Sequence, residues 1–135
     1  PMATLATPMR TSDEMLSPDV VKVVVDVAGD ALLFSRAPIP HVRLSPADPR
    51  ASAERALSEA LARRHIGVYA YRREFLLRYA RLPRTEFEQA ERLEQLRALE
   101  HGYEIAVPTV AHRALEVVTP EDVLRVEKAL RESPH

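Results

Sequence analysis

Two short apolar runs near the beginning of the chain indicate a β-hairpin. Residues 20–26 are rich in valine and residues 31–34 are apolar, a composition that strands favour. Residues 26–30 lie between these runs and supply a turn in which Gly29 can take a positive φ angle. Residues 1–19 show no sustained period of 2 or 3.6, so we predict that they form a connector with one helical turn.

Helical and strand-like patterns alternate over the rest of the chain. Apolar residues recur at helical spacing in four segments, residues 52–64, 72–79, 85–101 and 119–130. The third segment is the longest predicted helix and ends before Gly102, a common residue at helix C-termini. Three apolar segments are predicted strands, residues 65–71, 103–110 and 115–118. We therefore predict an α/β fold with a mixed sheet, flanking helices and the hairpin, in one domain over residues 20–135.

Composition excludes several classes of protein. Apolar residues make up 46% of the 135 residues and charged residues 29%, an ordinary globular mixture. The 19 basic and 20 acidic residues give a net charge of −1, which does not favour nucleic acid as a partner. Cysteine is absent, which excludes disulfides and thiol chemistry and suits the cytoplasm, where we expect the protein. The longest apolar stretch is too short for a membrane span, so a membrane is not an expected partner either.

Two common ligand-binding motifs are also excluded. The three glycines, Gly29, Gly67 and Gly102, are too few and too far apart for a dinucleotide or phosphate-binding loop. The five histidines include neither an HExxH motif nor an i,i+4 pair, so they do not predict a zinc site.

His65 and Tyr69 form the first candidate site. In a strand these residues share one face, and Gly67 between them leaves open space for a polar ligand. The structural alternative is that His65 is a hydrogen-bonded edge residue and Tyr69 belongs to the core. The residues alone favour this alternative.

Glu94, Gln95 and Arg36 are the other candidates. A carboxylate and an amide at adjacent positions can bind the hydroxyl groups of a sugar, although the same residues are also typical of a solvated helix face near Arg92 and Arg97. Arg36 follows the second hairpin strand and is a candidate anchor for an anion, because arginine binds carboxylates with two hydrogen bonds. A surface arginine is the alternative.

Five segments, taken together and in order, resemble a known family. They are Val-Lys-Val-Val-Val-Asp at 21–26, Phe-Ser-Arg-Ala-Pro-Ile-Pro at 34–40, His-Ile-Gly-Val-Tyr-Ala-Tyr-Arg at 65–72, Leu-Glu-Gln-Leu-Arg at 93–97 and Thr-Pro-Glu-Asp at 119–122. Over essentially all 135 residues, the chain resembles the C-terminal half of the CMP-Kdo synthetases. These are the 3-deoxy-manno-octulosonate (Kdo) cytidylyltransferases of lipopolysaccharide biosynthesis.

The resemblance implies a fold, a reaction and a set of ligand contacts. The fold is of the nucleotide-diphospho-sugar transferase type, which is Rossmann-like, and the assembly is a homodimer. The reaction is Mg²⁺-dependent and converts CTP and Kdo to CMP-Kdo and pyrophosphate. The positions that match the family's Kdo pocket are His65, Tyr69, Glu94 and Gln95, with Arg36 nearby.

Two departures from the family pattern change these expectations. The family's N-terminal half, which holds the CTP loop and a metal-binding aspartate, has no counterpart in this sequence, so we expect the chain to be inactive alone. A second metal-binding aspartate is replaced by Val118, which leaves Glu116 as the candidate Mg²⁺ ligand. The alternative is a non-catalytic relative that binds a sugar acid, or that pairs with a full-length synthetase as a regulatory or structural partner. Since a divided sheet exposes an edge strand, we also expect self-association.

Overall fold

A mixed five-stranded sheet organises the described part of the chain. The computed structural model describes residues 1–44, 47–111, 123–124, 126–128 and 131. In chain order, the elements are β1 (Met2–Pro8), α1 (Ser12–Leu16), β2 (Lys22–Val25), β3 (Ala31–Ser35), α2 (Pro49–Ser58), β4 (Arg63–Tyr71), α3 (Arg73–Tyr79), α4 (Glu86–Glu91), α5 (Gln95–Glu100) and β5 (Ile105–Ala106). The strand order is β3-β2-β4-β1-β5, and only the β1–β5 pair is parallel among these strands. The predicted α/β fold with a mixed sheet and flanking helices is confirmed.

The predicted hairpin is present as β2 and β3. The backbone N–H of Asp26 donates to the carbonyl of Asp30 at 2.9 Å, and the Asp26 carboxylate accepts from Ala28 N–H at 2.8 Å and Asp30 N–H at 3.0 Å. Gly29 has a φ of 91°, a conformation that costs glycine little because it lacks a Cβ. The turn residues therefore close the hairpin as the sequence indicates.

The prediction of a connector over residues 1–19 is wrong for its first part. Residues Met2–Pro8 form β1, which lies between β4 and β5. Met2, Thr4 and Ala6 are 5%, 2% and 0% exposed, so alternate residues of β1 do face the interior. Their mixture of apolar, polar and small side chains conceals this alternation in the sequence.

The single long helix predicted over residues 85–101 is also wrong. The segment forms two helices, α4 and α5, because Arg92 is left-handed, with φ 55° and ψ 47°. The N–H of Leu93 donates to the carbonyl of Glu88, five residues earlier, at 3.2 Å, as is typical where a helix ends at a left-handed residue. The break directs Leu93 into the core, where it is 6% exposed, while Phe87 is 61% exposed.

The remaining predicted elements differ mainly in their bounds. Helix α2 begins three residues and ends six residues earlier than predicted segment 52–64. Strand β4 starts two residues before predicted segment 65–71, and α3 matches predicted segment 72–79 closely. Segment 103–110 contributes only the two residues of β5. The predicted strand at 115–118 lies outside the described residues, as does most of the predicted helix at 119–130.

The hydrophobic core has two parts. The larger cluster joins the sheet to α3 and α5 and includes Phe34, Leu96 and Ile105, each less than 2% exposed. The smaller cluster joins α1 to α2 around Met15, which is 1% exposed. The larger cluster thereby supports the strands and helices that carry the candidate site.

Candidate functional site

An irregularity in β4 shapes the first part of the site. Thr4 lies opposite Tyr69 and the next residue, Leu5, lies opposite Ile66, so β4 contains two residues that β1 does not match. Because two extra residues preserve the alternation of faces, His65 and Tyr69 remain on the same side of the sheet. Their ring centroids are 5.5 Å apart. The predicted juxtaposition of these two side chains is confirmed.

The Thr4 hydroxyl contacts the extra residues of β4 and orients the ring of His65. Its Oγ1 lies 3.0 Å from the carbonyl oxygen of Ile66, 2.8 Å from that of Val68 and 2.8 Å from Nε2 of His65. Since carbonyl oxygens only accept, the two carbonyls share the single hydroxyl hydrogen, and we assign His65 the tautomer in which Nε2–H donates to the hydroxyl oxygen. In this tautomer Nδ1 of the neutral imidazole is a hydrogen-bond acceptor.

Burial keeps His65 uncharged. The residue is 8% exposed, and its ring meets that of Phe34 edge-on with centroids 5.0 Å apart. Desolvation by burial lowers the pKa of His65 from 6.5 to about 4. A cleft of about 220 Å³ adjoins the residue and is lined by Asp19, Val20, Val21, Arg64, His65 and Gly67. At neutral pH the ring therefore offers a polar acceptor and no positive charge.

Three tyrosines continue the aromatic surface from His65. The rings of Tyr69 and Tyr71 stack with centroids 6.1 Å apart, and that of Tyr79 follows 6.0 Å from Tyr71. Burial raises the pKa of each hydroxyl, to about 12 for Tyr79, and the negative charge of Glu94 contributes to all three increases. The hydroxyl groups are therefore protonated near a carboxylate at neutral pH.

Glu94 and Gln95 lie at the start of α5. The hydroxyl of Tyr79 donates to the backbone carbonyl of Glu94 at 2.7 Å, whereas the Glu94 side chain is exposed. Gln95 is 4% exposed, and its buried Nε2 has no hydrogen-bond partner within the described residues. A buried amide donor without a partner is costly, which makes Gln95 a candidate donor to a ligand oxygen.

Arg36 lies at the end of β3 and contacts backbone groups. Its Nε donates to the carbonyl of Glu91 at 3.0 Å, and Nη1 donates to the carbonyl of Pro18 at 3.0 Å. Arg36 therefore joins the hairpin to α4. The guanidinium has five N–H groups, and its role as an anion anchor stays a prediction.

The structure thus places His65 and Tyr69 side by side on β4 and connects them to the start of α5. The connection runs through the rings of Tyr71 and Tyr79 to the backbone of Glu94, which directly precedes Gln95. A second cleft, of about 370 Å³, is lined by Arg84, Glu88, Gln89, Arg92 and Glu94. It extends along α4 on the Glu94 side of the site.

Several residues of this region are missed by the sequence reasoning. Thr4 falls in the supposed connector, and its contact with His65 spans 61 positions of the chain. Tyr79 has only a helical apolar pattern as a signal, which predicts burial and not a hydroxyl directed at Glu94. The role of Thr4 depends on strand pairing, which the pattern of one short segment does not reveal.

The predicted metal ligand lies elsewhere in the chain. Within the residues that the structure describes, no three His, Asp or Glu side chains are grouped closely enough to hold a metal ion. Glu116 and Val118 lie outside the described residues. The same described part of the chain contains no helix long and apolar enough to cross a membrane.

Two curated relatives align with nearly the full length of this chain. The 3-deoxy-manno-octulosonate cytidylyltransferase of Syntrophotalea carbinolica is 50% identical over 131 residues, which cover 97% of this chain and 51% of that protein. The protein of the same name from Geobacter sulfurreducens is 45% identical over 130 residues, 96% of this chain and 52% of that protein. The chain therefore spans about half the length of the curated relatives it matches.

A solved structure and a family model agree with these relatives. The structure of a CMP:2-keto-3-deoxy-manno-octonic acid synthetase, complexed with CTP, matches with a TM-score of 0.81 and 37% identity, over 98% of this chain and 49% of that one. This match confirms the Rossmann-like fold implied by the resemblance. The model of the cytidylyltransferase family matches residues 1–105. The chain belongs to the cytidylyltransferase family.

Proposed function

We propose that this chain is the Kdo-binding, C-terminal half of a 3-deoxy-manno-octulosonate cytidylyltransferase. The observation that carries the proposal is a continuous series of rings from His65 to the start of α5. The ring centroids of His65 and Tyr69 are 5.5 Å apart on one face of β4. The rings of Tyr71 and Tyr79 continue this series, and the Tyr79 hydroxyl donates to the backbone carbonyl of Glu94. The names and extents of the matched relatives support the same assignment.

The side chains suit a polyhydroxylated ligand. Nδ1 of His65 and the Glu94 carboxylate accept hydrogen bonds from hydroxyl groups, while the Tyr69 hydroxyl and the Gln95 amide donate to oxygen atoms. Buried hydrogen bonds to hydroxyls discriminate strongly, because a ligand that lacks the hydroxyl leaves the protein group without a partner. The arrangement therefore favours the hydroxyl groups of a sugar, and Arg36 is proposed as the contact for the carboxylate of a sugar acid such as Kdo.

The proposed reaction belongs to the whole enzyme. The Kdo 2-hydroxyl oxygen attacks the α-phosphorus of CTP, a P–O bond forms, and the bond to pyrophosphate breaks as the hydroxyl proton is lost to solvent. When bound, Mg²⁺ would neutralise charge on the phosphates, and Glu116 is the proposed ligand from this chain. A cytoplasmic homo-oligomer belongs to the same proposal.

Titration calorimetry of Kdo into this chain tests the binding site. We expect Glu94→Ala and His65→Ala each to weaken binding by about 1–3 kcal/mol, because a sugar hydroxyl loses its partner. Glu104→Ala removes an exposed carboxylate outside the site and provides the control. Absence of binding by the unmodified chain, or equal affinities for all three variants, would contradict the proposed site.

Pyrophosphate release tests whether the chain acts alone. With CTP, Mg²⁺ and Kdo, we expect no release above the buffer rate, since the proposed CTP contacts belong to the other half of the enzyme. A phosphate-coupled assay measures this, with a full-length relative as the positive control. Release by the chain alone would show that the proposed division of roles is wrong.

Val118 favours a second candidate function. Valine offers no oxygen ligand to Mg²⁺, and it stands where the resemblance implies an aspartate. A non-catalytic relative would bind the sugar acid or pair with a full-length synthetase. Addition of the chain to such a synthetase would then change its rate of pyrophosphate release, whereas the first candidate predicts no change.

A further inference from the structure

Glu91, at the end of α4, connects the turn between α4 and α5 to the hairpin through its side chain and its backbone carbonyl. We infer that Glu91 is a positioning residue of the proposed Kdo site. By fixing the end of α4 to the end of β3, Glu91 sets where Glu94 and Gln95 lie relative to His65 and Tyr69. The inference rests on the proposed function and assigns a role to a residue that contacts no ligand itself.

Glu91 meets two consecutive residues of the hairpin with three polar groups. Its Oε1 accepts from the hydroxyl of Ser35, its Oε2 accepts from the backbone N–H of Arg36 at 2.9 Å, and its carbonyl accepts from Arg36 Nε at 3.0 Å. Carbonyls in the last turn of a helix lack partners within the helix, so the guanidinium also satisfies the end of α4. The three contacts fix both the position and the rotation of Glu91.

The electrostatics of this junction favour the ionised carboxylate. Burial raises the pKa of Glu91, but the hydrogen bonds from Ser35 and Arg36, with the positive charges of Arg36 and Lys22, outweigh burial and lower it overall. Ser35 is only 4% exposed. The junction therefore contains an ionised and partly desolvated acceptor, whose hydrogen bonds are stronger than those between neutral groups.

The hairpin end is itself anchored to the strand that carries the histidine. Lys22 is 0% exposed, and its Nζ donates to the carbonyl of Arg36. The carbonyl of the adjacent Val21 accepts the backbone N–H of His65 at 2.9 Å. A continuous series of bonds thus runs from His65 through β2 and the end of β3 to Glu91.

Other contacts near the α4–α5 turn join the helices α3, α4 and α5 to one another. Arg97 forms a two-bonded ion pair with Glu88, which joins α5 to α4, and the Tyr79 hydroxyl bonds the Glu94 carbonyl from α3. In the described residues, these contacts fix the helices to one another. Glu91 supplies the side-chain connection from α4 to the hairpin, and hence to the β4 half of the site.

Two substitutions at position 91 distinguish the positioning role of Glu91 from an effect of its negative charge. Glu91→Ala removes both side-chain acceptors, and we expect the dissociation constant for Kdo to rise about tenfold, the change that corresponds to loss of one charge-assisted hydrogen bond. Glu91→Gln should stay within about threefold of the unmodified chain, because the amide oxygen can accept from Arg36 and the amide nitrogen can donate to the Ser35 hydroxyl. Calorimetric titration of Kdo measures both.

Two control variants and a second measurement test alternative causes. Glu86→Ala removes an exposed carboxylate from the same helix, and Met15→Ala destabilises the other hydrophobic cluster; both should keep the original affinity. The N–H groups of Leu93, Leu96 and Arg97 are hydrogen-bonded across the turn. In the ligand-free protein, Glu91→Ala should speed amide exchange at these three residues at least about tenfold, while Glu86→Ala leaves it unchanged.

The outcomes distinguish this inference from the proposed function. If the unmodified chain binds Kdo and Glu91→Ala binds equally well, the positioning role is wrong and the proposed function stands. If Met15→Ala weakens binding as much as Glu91→Ala, the effect arises from global stability and the inference is overturned. If the unmodified chain does not bind Kdo, the proposed function fails, and amide exchange at Leu93, Leu96 and Arg97 still shows whether Glu91 holds the turn.

Discussion

At the scale of single residues, His65 shows how a buried polar group can be prepared for a ligand. The Thr4 hydroxyl fixes Nε2 as the donor, and burial keeps the ring neutral. Thr4 engages Nε2, which leaves Nδ1 of the ring to accept a hydrogen bond from a ligand. The same burial has a consequence for stability that can be measured without any ligand.

We predict that acid destabilises the protein through His65. The unfolded chain binds a proton near the ordinary pKa of 6.5, but the folded chain does so only near its lowered pKa of about 4. Between these values the unfolded state binds more protons, so the free energy of unfolding falls as the pH falls from 6.5 to 4, by about 3 kcal/mol. Above pH 6.5 this contribution is fully present.

Urea denaturation at a series of pH values measures this effect. His65→Gln should reduce the loss of stability between pH 6.5 and 4, because glutamine does not titrate. His101→Gln replaces an exposed histidine and should retain the original dependence. Parallel pH profiles for the unmodified chain and His65→Gln would show that the buried imidazole is not the responsible group.

At the scale of secondary structure, a left-handed residue divides the single helix predicted over residues 85–101 into α4 and α5. Arg92 has φ 55°, where a side chain costs about 1–2 kcal/mol. We predict that Arg92→Gly stabilises the fold by about 0.5 kcal/mol, since relief of this cost exceeds the entropy that glycine loses on folding.

Chemical denaturation provides the measurement, and α3 provides a matched control. Arg78 is exposed within α3, where Arg78→Gly should destabilise the protein by about 1 kcal/mol because its backbone is helical. Equal destabilisation by the two glycine variants would mean that the left-handed conformation of Arg92 is not the dominant local cost.

Elements with strong local signals are predicted well, and those fixed by distant contacts are not. The hairpin follows from its valine-rich strand and Gly29, and α3 follows from its apolar period. By contrast, the α4–α5 break has no glycine or proline to mark it, and it forms because Leu93 packs into the core and Glu91 bonds the hairpin. Strand β1 is missed for the same reason, since its burial depends on neighbours on both sides.

The same distinction between local signals and distant contacts applies to the candidate site. Adjacent spacing on β4 is sufficient to predict that His65 and Tyr69 share a face, because β periodicity is local. The contributions of Thr4 and Glu91 come from residues 61 and 56 positions away from their partners His65 and Ser35. One sequence contains no local pattern that reports such pairs.

At the scale of the whole molecule, β3 is exposed at the edge of the described sheet. Asp30, directly before β3, forms an isolated bridge with Ala106 of β5. Beyond it, β3 pairs with β2 on one side, and within the described residues no strand pairs with the other side of Ala31–Ser35. Leu32 is 62% exposed and Leu33 is 39% exposed, so apolar side chains project from both faces of this strand. Unpaired backbone groups beside exposed leucines favour pairing with another chain.

We therefore predict that the chain self-associates through β3. In sedimentation equilibrium, the mean mass should rise with protein concentration, and Leu32→Lys should shift the association to at least about tenfold higher concentration, because a charge at a strand edge opposes pairing. Val27→Lys adds the same charge to an exposed residue of the hairpin turn and should have little effect, since Val27 lies outside the strand. If both lysine variants weaken association equally, general charge repulsion is responsible and the contact through β3 is wrong; if the mass is independent of concentration and equals that of one chain, the edge is covered within the monomer.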